Sequence, residues 1–241
     1  NPRFTDHSQR HEVMKAVLLN SADKKTGVHD STRTVIDVNG NNWEQSPAFA
    51  SDFISLDKRM GAGLLNVNSA KKQYVPGEYD PGNVPSLGWD YGTIGVEGAK
   101  NEYILNQGGD GYIAVTLIWD RRINNPREDD TYQEGDLYGH YNEVSDVLNN
   151  LNVYILPVGD DDLGHAVAAS FASEDNVEHI FANIGTGNFK IVVTNEAGGI
   201  GESQNYGIAW WFGNPIPPGA QGDYNGNGVL DPGGDWGGDG H

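Results

Sequence analysis

The sequence has no cysteine among its 241 residues. Disulfides, thiolate metal sites and a cysteine nucleophile are therefore excluded. Basic residues are few, because 15 Lys and Arg stand against 34 Asp and Glu, and the formal net charge is −19 at pH 7. Such a field repels phosphate backbones and anionic lipid surfaces, so we predict no nucleic-acid partner. No apolar run reaches the roughly 18–20 residues of a membrane span, so we predict no transmembrane segment.

The composition is otherwise that of a folded protein rich in turns. Hydrophobic residues make up 37% of the chain and aromatic residues 10%, enough to build a core. The 33 glycines and 11 prolines are typical of a turn-rich β protein. The acidic excess favours divalent cations, because clustered carboxylates relieve their repulsion by sharing an ion. Solubility of a surface protein explains the same excess, and the charge alone does not decide between the two.

Alternation of side chains predicts a β-rich second half. In the segment 112–119, Ile113, Val115 and Leu117 fall on one face, while Ala114 and Ile118 fall on the other. Further strands are predicted at 102–106, 151–156, 166–171, 177–182, 188–194 and 206–212. The segments 112–119 and 206–212 are apolar on both faces, as in central strands covered from two sides. Short strands separated by Gly, Asp and Asn turns indicate an antiparallel sandwich.

The first part of the chain has a different pattern of apolar residues. Residues 5–23 show a helical period, with Asp6 or Ser8 as the cap and an apolar stripe of Val13, Met14, Val17, Leu18 and Ala22. Residues 24–56 are predicted to be irregular, and a second helix is predicted at 67–73. Residues 120–147 form a long charged excursion between strands. We divide the chain into residues 1–75, a linker at 76–87, a sandwich at 88–213 and a Pro/Gly-rich tail at 214–241.

Two segments of the first part resemble subtilisin-like serine peptidases. Residues 11–23 (HEVMKAVLLNSAD) are similar to the helix near the end of that family's catalytic domain. Residues 61–66 (GAGLLN), with Ala70, are similar to the segment that closes the same domain. Residues 115–120, 151–156, 175–180, 188–193 and 206–211 resemble strands of the jelly-roll domain that follows it in large subtilases. The resemblance implies a jelly-roll β-sandwich preceded by a small helical and irregular remnant of an α/β subtilase domain.

The same resemblance implies a role without catalysis in this chain. The family's Gly-Thr-Ser-Met-Ala-x-Pro nucleophile segment has no counterpart here, and acyl transfer needs a nucleophile, a base and an oxyanion site together. We therefore expect an inactive carboxy-terminal portion of a secreted endopeptidase, cut or truncated from a precursor, that stabilises the catalytic domain and presents protein substrate. Its partner would be the upstream catalytic portion, and the free chain should expose the apolar face of helix 9–22.

A different class of function stays open. A stand-alone module at the cell surface, for adhesion, filament assembly or glycan binding, would need the same sandwich and no upstream partner. Four tryptophans, Trp89, Trp119, Trp210 and Trp211, would suit sugar stacking, but at strand spacing we interpret them as core residues. His179 is interpreted as structural and not as a zinc ligand.

One segment of the tail resembles the calcium loop of dockerin repeats and EF-hands. Oxygen-bearing side chains recur at alternate positions and converge on one ion, while Gly228 permits the tight turn. The predicted Ca²⁺ ligands are Asp223, Asn225, Asn227, Val229 through its carbonyl, Asp231 and Asp235. The usual acid at the twelfth position is replaced by Gly234, with Asp235 one place later. A flexible Gly/Asn/Asp tail is the alternative interpretation.

Three other acidic segments are weaker candidates for calcium. Asp160, Asp161 and Asp162 fit either a solvated turn or an ion site at the edge of the sandwich. Asp37, Asn39 and Asn41 fit an ordinary turn built by side-chain hydrogen bonds. A third group lies in the long excursion and comprises Glu128, Asp129, Asp130, Glu134 and Asp136.

Overall fold

The structure is a computed structural model that describes residues 4–28, 31, 33–106, 109–120, 149–173, 175–197 and 202–213. Within these residues the helices come first: α1 (His11–Asn20), α2 (Pro47–Ala50) and α3 (Val67–Tyr74). The strands are β1 (Gly82–Val84), β2 (Leu87–Ile94), β3 (Lys100–Leu105), β4 (Gly109–Trp119), β5 (Asn150–Pro157), β6 (Ala168–Ser170), β7 (Val177–Gly187), β8 (Phe189–Glu196) and β9 (Gln204–Gly213). Short 3-10 helices lie at Asp6–Gln9, Trp43–Gln45 and Leu163–His165.

The strands form two sheets with the connectivity of a jelly roll. One sheet has the order β1-β3-β8-β5-β6 and the other the order β2-β9-β4-β7. Four antiparallel pairs, β2 with β9, β3 with β8, β4 with β7 and β5 with β6, trace one long hairpin wrapped around a barrel axis. The pairs β4–β9 and β5–β8 then close the two sheets. The predicted fold class, a mainly β jelly-roll sandwich behind a short helical segment, is confirmed.

Both faces of the central strands are buried, as the alternation predicts. Ile113, Val115 and Leu117 of β4 lie in the core between the sheets. Ala114 and Ile118 point to the opposite face, where they are covered by residues that precede β1. The same holds for β9, which runs between β2 and β4. The four-stranded sheet is therefore sandwiched between the five-stranded sheet and the amino-terminal segment, residues 4–75.

The tryptophans are core residues, as interpreted from their spacing. All four are at most 4% exposed, and each indole N–H donates to a backbone carbonyl. Trp119 donates to Asn149 over 3.0 Å, and Trp210 donates to Pro85 over 2.9 Å. Because their faces are covered and their N–H groups are satisfied, these rings offer no stacking platform to a sugar.

The predicted helix at 5–23 is shorter and broken. Residues Asp6–Gln9 form a 3-10 turn, Arg10 is extended with ψ 135°, and α1 starts at His11. Thr5, not Asp6 or Ser8, supplies the cap, since its Oγ1 accepts from the backbone N–H of His7. In α1 the buried apolar residues are Val13, Ala16 and Val17. Two members of the predicted stripe, Met14 and Leu18, are 42% and 40% exposed.

The other predicted helices and strands are present in the structure, but their first and last residues differ from the predicted ones. The second helix is confirmed as α3, and the six strands predicted besides 112–119 correspond to β3 and β5–β9. The segment 24–56, predicted as irregular, contains α2 and one 3-10 turn. Two strands were not predicted, β2 and β1, and β1 places Val84 of the predicted linker in the core. Among the described residues no helix has the length and apolarity to cross a membrane.

Candidate functional site: the motif junction and its groove

The two peptidase-like motifs meet in space. Asp23 donates its N–H to the carbonyl of Leu64 over 2.7 Å, and Leu64 donates back to Asp23 over 2.9 Å. Asn66 donates its side-chain N–H to Oδ1 of Asp23 over 2.7 Å and also caps α3 by accepting from the N–H of Ser69. Asp23 and Leu64 thus form an isolated antiparallel β-bridge, and we name the contact between residues 21–24 and 61–66 the motif junction. It joins segments that are separated by some forty residues of sequence.

Two glycines shape the junction for different reasons. Gly63 has φ +117°, and a Cβ built on it would lie 2.3 Å from the carbonyl oxygen of Asp23. Gly61 also has a positive φ, +57°, but a Cβ there would meet nothing within 4 Å. At Gly63 a side chain would both clash with Asp23 and be strained by the positive φ. At Gly61 only the positive φ favours glycine.

Alanine at these two positions separates the two requirements. We expect Gly61→Ala to cost about 1 kcal/mol of unfolding free energy, the usual strain of a non-glycine residue at positive φ. Gly63→Ala should cost about 2 kcal/mol more, because the bridge to Asp23 must open to admit the methyl group. Chemical denaturation of both variants measures the difference. Equal losses would show that the junction is loose enough to absorb the clash.

Helix α1 is docked on the outer face of the four-stranded sheet. Val13 and Val17 pack against Trp89, Ile118 and Ala209. Its last residue, Asn20, accepts a hydrogen bond from the indole of Trp211 through its carbonyl and one from the hydroxyl of Thr116 through its side chain. The expectation that the free chain exposes the apolar face is wrong for Val13 and Val17, which the sandwich covers, whereas Met14 and Leu18 of the same predicted stripe are exposed.

Apolar side chains are also exposed elsewhere on the amino-terminal segment. A cavity of about 700 Å³, which we name the groove, is lined by Ile36, Val38 and Leu64 together with two arginines. Arg59 pairs with Asp37 over 3.2 Å, and Arg33 lies 3.5 Å from Asp23 of the junction. Val38 is 92% exposed, and the apolar character continues along the chain in Leu65 and Val67.

Three ionisable side chains, Lys24, Glu178 and His179, are buried inside the fold. Lys24 is buried between the rings of Trp43 and Phe181, and burial lowers its pKa to about 7. His179 is hydrogen-bonded to Thr116, and burial, with a smaller contribution from the Lys24 charge, holds its pKa well below its usual value. Glu178 accepts from Ser55 and Ser170, and burial raises its pKa to about 8. At no more than 5% exposure these groups have no access to substrate, and we assign them to packing.

The predicted metal positions fall into three groups. Asp223, Asn225, Asn227, Val229, Asp231 and Asp235, and the acids of the long excursion, lie outside the described residues, so calcium there stays a prediction. Asp37 accepts from the backbone N–H groups of Asn39 and Asn41, which confirms an ordinary side-chain turn.

The third group also forms a turn. Asp160 accepts from the N–H of Asp162, Asp162 caps the short 3-10 helix, and Asp161 pairs with Lys190 over 2.6 Å. Because each carboxylate already has a partner within the protein, the geometry favours the solvated turn over an ion site. Sequence reasoning missed the sealed Lys24 and Glu178, since a single charged residue between apolar ones gives no sign of burial.

Similarity to known proteins is distant. No protein-family model matches the chain, and no curated protein gives a significant match. Among solved structures, the pre-peptidase C-terminal domain of a collagenase from Bacillus anthracis is 11% identical, with 55% of this chain and 95% of that chain covered and a TM-score of 0.35. PliG from Aeromonas hydrophila, a periplasmic inhibitor of g-type lysozyme, is also 11% identical, with 55% and 97% covered and a TM-score of 0.31. Similarity at this level assigns neither a family nor an activity to the chain.

Proposed function

We propose that this chain is the non-catalytic carboxy-terminal portion of an extracellular subtilisin-like serine endopeptidase. In this role the jelly roll holds the end of the catalytic domain in place and stabilises it. The peptide-bond chemistry belongs to an upstream portion of the same polypeptide. The Ca²⁺ ion predicted for Asp223, Asn225, Asn227, Val229, Asp231 and Asp235 is part of the same proposal, as a structural ion.

The motif junction is the observation that carries the proposal. Two segments that resemble the final helix and the closing segment of a subtilase domain are hydrogen-bonded to each other through Asp23 and Leu64. Both then pack on a sheet whose strands also resemble the domain that follows in that family. Chance matches to two short motifs would not be expected to form one hydrogen-bonded unit.

The exposed apolar residues of the groove support a protein partner at this surface. Ile36, Val38 and Leu64 face the groove, and none of them is covered by the sandwich. Arg33 and Arg59 lie at the same place, where each is paired with an aspartate, Asp23 and Asp37 respectively, so the groove presents ion pairs beside its apolar residues. We assign this surface to the upstream catalytic portion, because the junction motifs are the part of the chain that resembles that domain.

The first test is the coding sequence that precedes residue 1. We expect it to encode a Gly-Thr-Ser-Met-Ala-x-Pro segment, and the joined polypeptide to hydrolyse a peptide substrate and to be inactivated by a serine-directed sulfonyl fluoride. The isolated chain should be inactive. An upstream sequence without a nucleophile segment would contradict the proposal and would favour a stand-alone surface module.

The second test locates the contact. With the two portions produced separately, Val38→Asp should weaken their association at least about tenfold, since it places a charge in an apolar interface. Val96→Asp is the matched control, because Val96 is 60% exposed in a loop of the sandwich, outside the groove. Equal weakening by the two variants would place the contact elsewhere on the chain.

A further inference from the structure

Three potential metal ligands converge where α1 meets the end of β4. His11 and Glu12 open the helix, and Asp120 follows the last residue of the strand. One ligand atom from each lies within 4.8 Å of the other two. Nε2 of His11 lies 2.8 Å from Oδ1 of Asp120, and Nδ1 lies 3.3 Å from Oε2 of Glu12. His11 and Asp120 are largely exposed, so the site opens to solvent.

Glu12 is the unusual member of this cluster. Its side chain is only 5% exposed, and its Oε2 atom is buried without a hydrogen-bond partner. The neighbouring Nδ1 of His11 is close, but the pair does not have hydrogen-bond geometry. A buried carboxylate oxygen without a partner is costly and rare in native structures. A cation beside the imidazole would satisfy this oxygen.

The donor set indicates the kind of cation. Calcium and magnesium prefer sites made of oxygen alone, whereas imidazole together with carboxylates suits zinc and related first-row metals. Zinc bonds of about 2.0–2.1 Å in a tetrahedron place neighbouring ligand atoms about 3.3–3.4 Å apart. The separation of 3.3 Å between Nδ1 of His11 and Oε2 of Glu12 matches this edge. Asp120 meets Nε2 on the other side of the ring, where it orients the imidazole toward the ion.

We propose that His11, Glu12 and Asp120 form a site for a divalent first-row transition metal of the zinc class. With the ion on Nδ1, the imidazole is fixed as a donor from Nε2 to Asp120, which ties the first turn of α1 to the end of β4, two positions separated by 109 residues of sequence. It would thus fix the amino-terminal segment on the jelly roll from the end opposite to the motif junction. This site is distinct from the predicted calcium loop, and it stands whether or not the chain belongs to a peptidase.

A matched control exists at another exposed histidine. His165 lies 3.0 Å from Asp160 and 3.8 Å from Asp162, and its side chain is 65% exposed against 70% for His11. It differs from His11 in one respect: both of its carboxylates have protein partners, and within the described part of the chain no orphaned buried oxygen faces the ring. A zinc ion should therefore distinguish the two histidines.

Calorimetric titration of the metal-free full chain with ZnCl₂ tests the proposal. We expect wild type and His165→Gln to bind one ion that His11→Gln and Asp120→Asn bind at least about tenfold more weakly. Both replaced side chains are exposed, so the variants should keep the circular dichroism and melting temperature of the metal-free wild type. Ions held elsewhere by the acidic chain appear in every variant and cancel in the comparison.

Two results would overturn the site. One is an isotherm for His11→Gln that is the same as that of wild type. The other is displacement of Zn²⁺ by an equal concentration of Ca²⁺, which would mark an oxygen-type site. Nitrogen NMR of the histidine rings gives an independent readout, in which substoichiometric Zn²⁺ should shift the His11 signals before those of His165.

Discussion

Gly207→Ala should lower the unfolding free energy by at least about 3 kcal/mol, because it pushes α1 off the sheet. Gly207 lies in β9, where the backbone of the helix passes directly over it. A Cβ at this position would lie 2.5 Å from the carbonyl carbon of Glu12 and 2.6 Å from the backbone nitrogen of Val13. Both contacts are with backbone, so no side chain can rotate away. Relief requires the helix to move as a body, which opens the apolar layer of Val13, Val17 and Trp89.

Gly213→Ala is the matched control in the same strand. A Cβ there would meet nothing within 4 Å, so we expect a change within about 0.5 kcal/mol. Thermal melting should show a fall of roughly 6–12 °C for Gly207→Ala and little change for Gly213→Ala. A Gly207→Ala chain as stable as wild type would mean that α1 contributes little to the folded unit. The docking described for the amino-terminal segment would then be incidental.

The loss of stability expected for Gly207→Ala implies that the amino-terminal segment and the sandwich depend on each other. Helix α1 covers the outer face of β4 and β9, so the apolar residues of that face depend on it for burial. The segment and the sandwich should therefore unfold in one transition. Separate transitions in calorimetry would instead support two units that fold independently, with the boundary near the predicted linker.

The two-residue period predicts a strand well where no glycine interrupts it. β4 has the strict two-residue period, and its predicted faces agree with the structure. β2 was missed because Gly88 and Gly92 interrupt the period. A Cβ on Gly88 would lie 2.5 Å from the ring of Trp210, and one on Gly92 would lie 2.6 Å from that of Tyr206. These glycines make room for rings of the neighbouring β9, and a local pattern cannot show that requirement.

The sites are less predictable than the fold, because they depend on pairs far apart in sequence. A helical period suggests one continuous helix through His11, yet the extended Arg10 ends the first turn and turns His11 toward Asp120. Nothing near residue 11 indicates a partner at residue 120. The hydrogen bonds between Asp23 and Leu64 at the motif junction were not predicted either, because some forty residues of sequence separate the two.

A pH-dependent gain in stability is expected for Glu178→Gln. Burial raises the pKa of Glu178 to about 8, against 4.5 for an ordinary glutamate. Between these two values the folded chain holds a proton that the unfolded chain has released. Stability therefore falls as pH rises from about 4.5 to about 8, and the loss is complete above the folded pKa. A shift of this size corresponds to roughly 5 kcal/mol.

Glutamine keeps the shape and the hydrogen bonds of the protonated side chain but cannot ionise. Near pH 5 the variant and wild type should melt at similar temperatures, whereas at pH 9 the variant should melt roughly 10 °C higher. Glu97→Gln, which removes an exposed carboxylate, is the control and should leave the difference from wild type nearly constant with pH. A constant difference for Glu178→Gln as well would show that the carboxyl group ionises at no cost inside the fold.

The comparison between variants matters because other buried groups titrate in the same range. Burial lowers the pKa of Lys24 to about 7, so its contribution has the opposite sign and stability rises between pH 7 and its ordinary value of 10.5. Burial also raises the pKa of Asp90 to about 7, which adds a second fall at acidic to neutral pH. Both groups are present in wild type and in Glu178→Gln, so their effects cancel in the difference. The pH profile of wild type alone would mix the three and conceal each of them.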